Sequence, residues 1–184
     1  MINEISKFRW MALGVGGAGQ NSVSSMTALA DRVTLAACDT DSDALAKVPL
    51  PNKMLFGTRV VAGHGCGGDS DLGMEAAKSD SEALTALIRP FDGLVLVVGV
   101  GGGAGTGGGE VIAQLAHQHG LKVFGLFFGP FHWEGKKRPP KPRLGWTEYR
   151  NSWTVAFVSP WKAFCDLLQI PSRSGSSMNL WTGS

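Results

Sequence analysis

Along the chain, short apolar runs alternate with stretches in which apolar residues recur every three or four positions. Segments 8–13, 33–38, 53–57, 93–98 and 121–128 are apolar or β-branched and of strand length. Between them, residues 20–30, 71–89 and 109–119 carry helical signals, with Met74, Ala77, Leu84 and Leu87 among the apolar positions of the second. Asp69, Ser70 and Asp71 can cap that helix, and Gly120 can end the third. The aromatics Phe124, Phe127 and Phe128 sit in an apolar strand and are expected in the sheet core. This alternation predicts an α/β fold of three layers, with a mainly parallel sheet covered on both faces.

Two strand-to-helix junctions are glycine loops. The run Gly99 to Gly109 follows Gly93-Leu-Val-Leu-Val-Val98 and precedes Glu110-Val-Ile-Ala. Such a loop presents backbone N–H groups to an anion at the positive end of a helix dipole, and Thr106 adds a hydroxyl. The earlier loop, Gly14-Val-Gly-Gly-Ala-Gly19, matches G-x-G-x-x-G through Gly14, Gly16 and Gly19. Asp39 ends the next strand, where a dinucleotide enzyme keeps its ribose-binding acid. At this point a nucleoside di- or triphosphate site and an NAD-dependent oxidoreductase with a Rossmann domain both stand.

Length and composition narrow the class. At 184 residues the chain suits one α/β domain, and its 26 glycines concentrate in the loops. No apolar run reaches membrane-spanning length, so no membrane insertion is expected. Cys38, Cys66 and Cys165 are odd in number and widely spaced, as in a reducing cytoplasm. Residues 1–128 carry nine Lys/Arg and twelve Asp/Glu, whereas residues 129–184 carry eight and three. The basic residues of the second part are scattered among Pro and Trp, so no nucleic-acid partner is expected. His64 and Cys66 lack a second ligand pair at metal spacing, and His117 and His119 do not share a helix face. No Ser/His/Asp set has a nucleophile context.

Ordered motifs decide between the two readings. Gly14-Val-Gly-Gly-Ala-Gly-Gln-Asn-Ser-Val23 is followed by Cys38-Asp-Thr-Asp-Ser-Asp-Ala-Leu45, then by Gly63-His-Gly-Cys-Gly-Gly-Asp-Ser-Asp-Leu-Gly73. Gly101-Gly-Gly-Ala-Gly-Thr-Gly107 and Pro130-Phe-His-Trp-Glu-Gly-Lys-Lys-Arg138 complete the series. Together, over roughly residues 8–138, they resemble the GTP-binding half of FtsZ, the bacterial tubulin-like division protein. The resemblance implies a Rossmann-like tubulin/FtsZ GTPase fold that binds GTP or GDP with Mg²⁺. Gly16, Gly17, Ala18, Gly19, Gln20 and Asn21 would line the first phosphate and nucleoside loop. Cys66 and Gly67 would approach the terminal phosphate. Gly102, Gly103, Ala104, Gly105, Thr106 and Gly107 would hold the phosphates, Glu134 the ribose hydroxyls, and Arg138 the far side of the nucleotide. The metal would arrive with the nucleotide, near Asp39 and Asp41. The implied partners are the chain itself or full-length FtsZ protomers, and a non-catalytic modulator of such a filament is an alternative role.

The departures carry information too. Asp39 stands where the family has asparagine, and Ala104 where its glycine signature has threonine. After Arg138 the family pattern fades: Pro160-Trp-Lys162 stands where Pro-Asn-Asp is expected, and the central helix, acidic catalytic loop and second domain are not recognisable. The last 46 residues hold five of nine prolines and four of six tryptophans, and Arg173-Ser-Gly-Ser-Ser177 is flexible in composition. Codons chosen for Pro140 to Val155 and read one nucleotide earlier give Ala-Lys-Ala-Glu-Ala-Gly-Leu-Asp-Gly-Ile-Gln-Lys-Leu-Val-Asp, a family-like helix. The expectation is a truncated GTP-binding domain over 1–138, no catalytic residues of its own, and a divergent or frameshifted tail over 139–184.

Overall fold

The five apolar runs become neighbours in one sheet. A computed structural model describes residues 8–128 and, as backbone, the strand at 154–158. Strands β1 (Trp10–Val15), β2 (Thr34–Asp39), β3 (Asn52–Leu55), β4 (Gly93–Gly99), β5 (Lys122–Phe128) and β6 (Thr154–Val158) lie in the order β3-β2-β1-β4-β5-β6. Every pairing is parallel, and Leu13 of β1 sits between Ala36 of β2 and Leu96 of β4. β6 falls where the sequence predicts no strand.

The helices are α1 (Gly16–Ser24), α2 (Ser42–Ala46), α3 (Thr58–Val61), α4 (Ser70–Ser79), α5 (Ser81–Ile88) and α6 (Gly109–Gln118). Alternate strand residues feed two cores. Leu13, Leu94 and Leu96 pack with Ala76, Leu84 and Ile112 of α4, α5 and α6. Ala12, Leu35 and Val97 pack with Val23 of α1 and Leu45 of α2. Burial on both faces explains why β4 is a continuous apolar run rather than an alternating one. Phe127 enters the first core, but Phe124 points the other way and is 40% exposed, correcting its expected burial. No helix among the described residues is long and apolar enough to cross a membrane.

Helix boundaries differ from the periodicity in instructive ways. The helix expected over 20–30 starts earlier and ends at Ser24, followed by a short 3₁₀ turn at Thr27–Leu29. Ser22, Ser24 and Ser25 donate their hydroxyls back to the carbonyls of Ala18, Gln20 and Asn21, a bonding pattern that competes with helix continuation. The helix expected over 71–89 is two helices broken at Asp80. The Asp80 carboxylate accepts the Gly57 N–H at 2.6 Å and pairs with Arg59 at 3.2 Å, tying the break to α3. Asp69 caps α4 as expected, accepting from Asp71 and Leu72. Gly120 ends α6 with its N–H on His117 and the Leu121 N–H on Ala116, both at 3.0 Å.

The Asp80 clamp gives a first prediction. Asp80→Ala leaves the Gly57 N–H without its acceptor and should cost about 1–3 kcal/mol, read as a lower urea midpoint at unchanged slope.

Candidate functional site

The strand order reverses between β1 and β4. The chain leaves β1 toward β2 on one side, and it enters β5 from β4 on the other. Parallel sheets open a crevice at the carboxyl ends of the strands where such a reversal occurs. Both glycine loops emerge at this point. α1 starts directly after β1, and α6 is reached from β4 through the second loop.

The second loop is less of a loop than its composition suggests. After a turn at Gly101, residues Ala104–Gly108 form a wide π-type turn that runs without a break into α6. Its poor helix propensity is overridden by close packing: a Cβ on Gly103 would strike Cys66 and lie 2.5 Å from the Asp69 carbonyl. The first loop shortens for the same reason. Gly16 has a φ of +71°, and a Cβ there would lie 2.9 Å from the Gly105 amide nitrogen. Three segments, 14–19, 66–69 and 101–107, are therefore locked together backbone to backbone.

Neither helix start at the crevice carries a side-chain cap, although α6 has Glu110 in its first turn. α1 has no side-chain cap and no acidic residue in its first turn. The turn leading into α6 likewise has no side-chain cap. Two positive helix ends and their unused N–H groups converge where the strands reverse, an arrangement that attracts phosphate or another multivalent anion. Thr106 helps to shape this cradle by accepting the Gly101 N–H on its hydroxyl oxygen at 3.0 Å, while its own amide bonds to Gly102.

On the β2 side, an acid and a thiol adjoin the cradle. Asp39 is 4% exposed, and burial pushes its carboxyl up, opposed by N–H bonds from Thr40 at 2.7 Å and Asp41 at 3.3 Å. The Asp41 carboxylate is committed as well, capping α2 by accepting from Asp43 and Ala44 at 2.9 Å. Cys66 lies 3.3 Å from the Thr40 hydroxyl, and burial pushes its thiol up, as it does more strongly for Cys38. No group of three His, Cys, Asp or Glu that could hold a metal ion exists among the described residues.

Of the residues predicted from sequence, Gly16, Gly17, Ala18, Gly19, Gln20 and Asn21 all fall on the first turns of α1. Gly17, Ala18 and Asn21 are exposed, while Gln20 is buried with its Oε1 unpartnered. Cys66 packs against Gly103 of the second loop, where Gly102 to Gly107 build the turn, whereas a Cβ on Gly67 would meet nothing within 4 Å. Glu134 and Arg138 lie outside the described residues.

One charged group escapes the sequence reading. Glu110, in the first turn of α6, is 6% exposed with its Oε2 unpartnered. Burial raises its carboxyl, and Lys78 opposes the shift. The signal was available: a lone acid between a glycine run and Val111-Ile-Ala113 sits on an inward-facing turn. A carboxyl raised in the folded state favours folding at low pH, and that contribution fades as pH rises through the folded value. Glu110→Gln should therefore raise the melting temperature at pH 7 and leave it nearly unchanged at pH 4, a comparison made by thermal scans at both pH values.

A crevice of this kind on a parallel, doubly wound sheet is the architecture of α/β nucleotide-binding folds. The family model for the tubulin/FtsZ family, GTPase domain, matches residues 9–169, and the chain belongs to that family. The cell division protein FtsZ of Neisseria gonorrhoeae is 36% identical over 126 residues, covering 68% of this chain and 32% of that protein. FtsZ of Aquifex aeolicus is 34% identical over 141 residues, covering 76% and 38%. Among solved structures, an empty FtsZ dimer from M. jannaschii superposes with a TM-score of 0.73 at 27% identity, covering 92% of this chain and 53% of that one. GDP-bound CetZ1 from Haloferax volcanii follows with a TM-score of 0.64 at 29% identity, covering 69% and 43%. The chain spans about a third of the length of these curated relatives.

Proposed function

We propose that the chain is an FtsZ-like guanine-nucleotide-binding domain of bacterial cell division, with GTP or GDP seated at the crevice between β1 and β4. The observation that carries this reading is the convergence of two uncapped helix starts, those of α1 and of the turn into α6, on one point. Backbone N–H groups of the first turn of α1 and of the second loop, that of Thr106 excepted, would take the phosphates. Glu134 and Arg138 would take ribose and the opposite side of the nucleotide, as the family resemblance implies.

Mg²⁺ would be held chiefly by the phosphates and water, because Asp39 and Asp41 each spend one oxygen on backbone N–H groups. When bound, the ion would offset phosphate charge. Asp39 and Asp41 would reach it only through their second oxygens.

Hydrolysis by this chain alone should be slow. In the family the acids that position the attacking water come from a neighbouring subunit's acidic loop, which has no match in this sequence. A separate chain would then bind nucleotide and could cap a filament of full-length protomers. The NAD reading leaves the second glycine loop, which builds one side of the crevice, unexplained. A competition titration of GTP against NAD tests the proposal, with displacement by GTP alone expected. Radiolabelled-GTP turnover tests the second half, and brisk, concentration-dependent hydrolysis by the chain alone would overturn it.

A further inference from the structure

Among the described residues, two buried side-chain acceptors have no hydrogen-bond partner, Gln20 Oε1 and Glu110 Oε2. Both stand near the starts of the helices that converge on the crevice, Gln20 as the fifth residue of α1 and Glu110 as the second of α6. Glu110 can satisfy itself by taking a proton, which its burial favours. An amide oxygen has no such recourse. Gln20 is 3% exposed, and its orphan oxygen calls for a donor that the described residues do not supply.

The packing of α1 decides where that oxygen is aimed. A Cβ on Gly14 would come 2.8 Å from the Gln20 Cα, and one on Gly19 would strike the Val97 carbonyl, so the helix lies flat on the sheet here. Gly14 pairs with Ala37 and Val97 and is followed only by Val15 in β1, which puts this contact at the carboxyl end of the sheet. Side chains on a helix lean toward its N-terminus and cover the preceding turn. From the fifth position, the Gln20 amide leans over Gly16 to Gly19, the uncapped turn at the crevice. An acceptor in this place cannot serve phosphate, whose oxygens are acceptors too. It suits the nucleoside part of a nucleotide, which carries N–H donors on the base and hydroxyls on the ribose. We propose, resting on the nucleotide reading above, that Gln20 is a specificity-determining residue whose Oε1 accepts a hydrogen bond from the nucleoside, at the guanine edge or the ribose hydroxyls.

Titrations of the full chain and of Gln20→Met with GDP, 2′,3′-dideoxy-GDP and pyrophosphate test this. Methionine matches glutamine in length and lacks the acceptor, so the variant should fold with an unchanged or higher urea midpoint. Gln20→Leu replaces it if it does not. The variant should bind GDP about tenfold more weakly and pyrophosphate as tightly as the full chain does. A loss that disappears with 2′,3′-dideoxy-GDP supports the proposal and assigns the donor to the ribose; a loss that persists supports it and assigns the donor to the guanine edge. Equal affinity of the folded variant and the full chain for GDP would overturn the proposal. So would a loss for pyrophosphate as large as that for GDP, which would mean a damaged phosphate turn. Failure of the unmodified chain to bind GDP at all would instead overturn the nucleotide reading on which the proposal rests.

Discussion

Gly16→Val is expected to remove nucleotide binding and to cost about 2–5 kcal/mol of stability, a large share of the 5–15 kcal/mol typical of a domain. Two effects combine. The residue holds a φ of +71°, which a β-branched side chain adopts only under strain. Its Cβ would also press to within 2.9 Å of the Gly105 nitrogen, one of the atoms proposed to face phosphate. The strain and the lost ligand site thus share a cause. Gly17→Ala is the control: no atom lies within 4 Å of the added carbon, and the position is helical. Alanine there should leave the urea midpoint unchanged or raise it by up to about 1 kcal/mol in stability. Denaturation curves with a fluorescent GTP analogue titration on both variants separate the fold from the site.

Asp39→Asn should act in the opposite direction, raising both stability at neutral pH and affinity for a nucleotide. The acid is 4% exposed, and burial is the main cause of its raised carboxyl. The sign follows from linkage. Its folded value lies above its unfolded value, so its favourable contribution is complete at low pH and lost as pH climbs through the folded value. Asparagine keeps an acceptor for the Thr40 and Asp41 N–H groups and carries no charge. The variant should therefore lose much of the fall in stability between acid and neutral pH, leaving the part due to Glu110. Next to incoming phosphates it also removes a repulsion, so the dissociation constant for GDP should drop several-fold, more so without Mg²⁺ and at low salt. Thermal scans against pH and isothermal titration with and without Mg²⁺ would check both halves. Unchanged affinity would mean that the phosphates lie away from the Asp39 side of the crevice.

These variants show where sequence suffices. The strands β1, β2, β4 and β5 were legible because a parallel strand buried on both faces is apolar without interruption, as Gly93 to Val98 is. The two glycine loops were legible as places of close backbone approach, which excludes side chains and which only glycine satisfies in composition. Asp69 at the head of α4 was equally plain, since capping is a local interaction. Local pattern failed where the deciding contact came from elsewhere in the chain. The break at Asp80 answers to Gly57 and Arg59, more than twenty residues away. The helical state of Ala104–Gly108 contradicts its propensity and is held by α4.

The amino-acid sequence by itself determined the rhythm of strand and helix, the positions of the phosphate-type loops, and through their order the family resemblance that the comparisons bear out. Only the tertiary structure decided which loops meet. Strand order places β1 beside β4, and this turns two separate glycine runs into one crevice with two helix ends aimed at it. It also decided which acids carry a cost: Asp39 and Glu110 are both raised because the fold takes them out of water. Burial is a property of the whole packed molecule, and no window of neighbouring residues contains it.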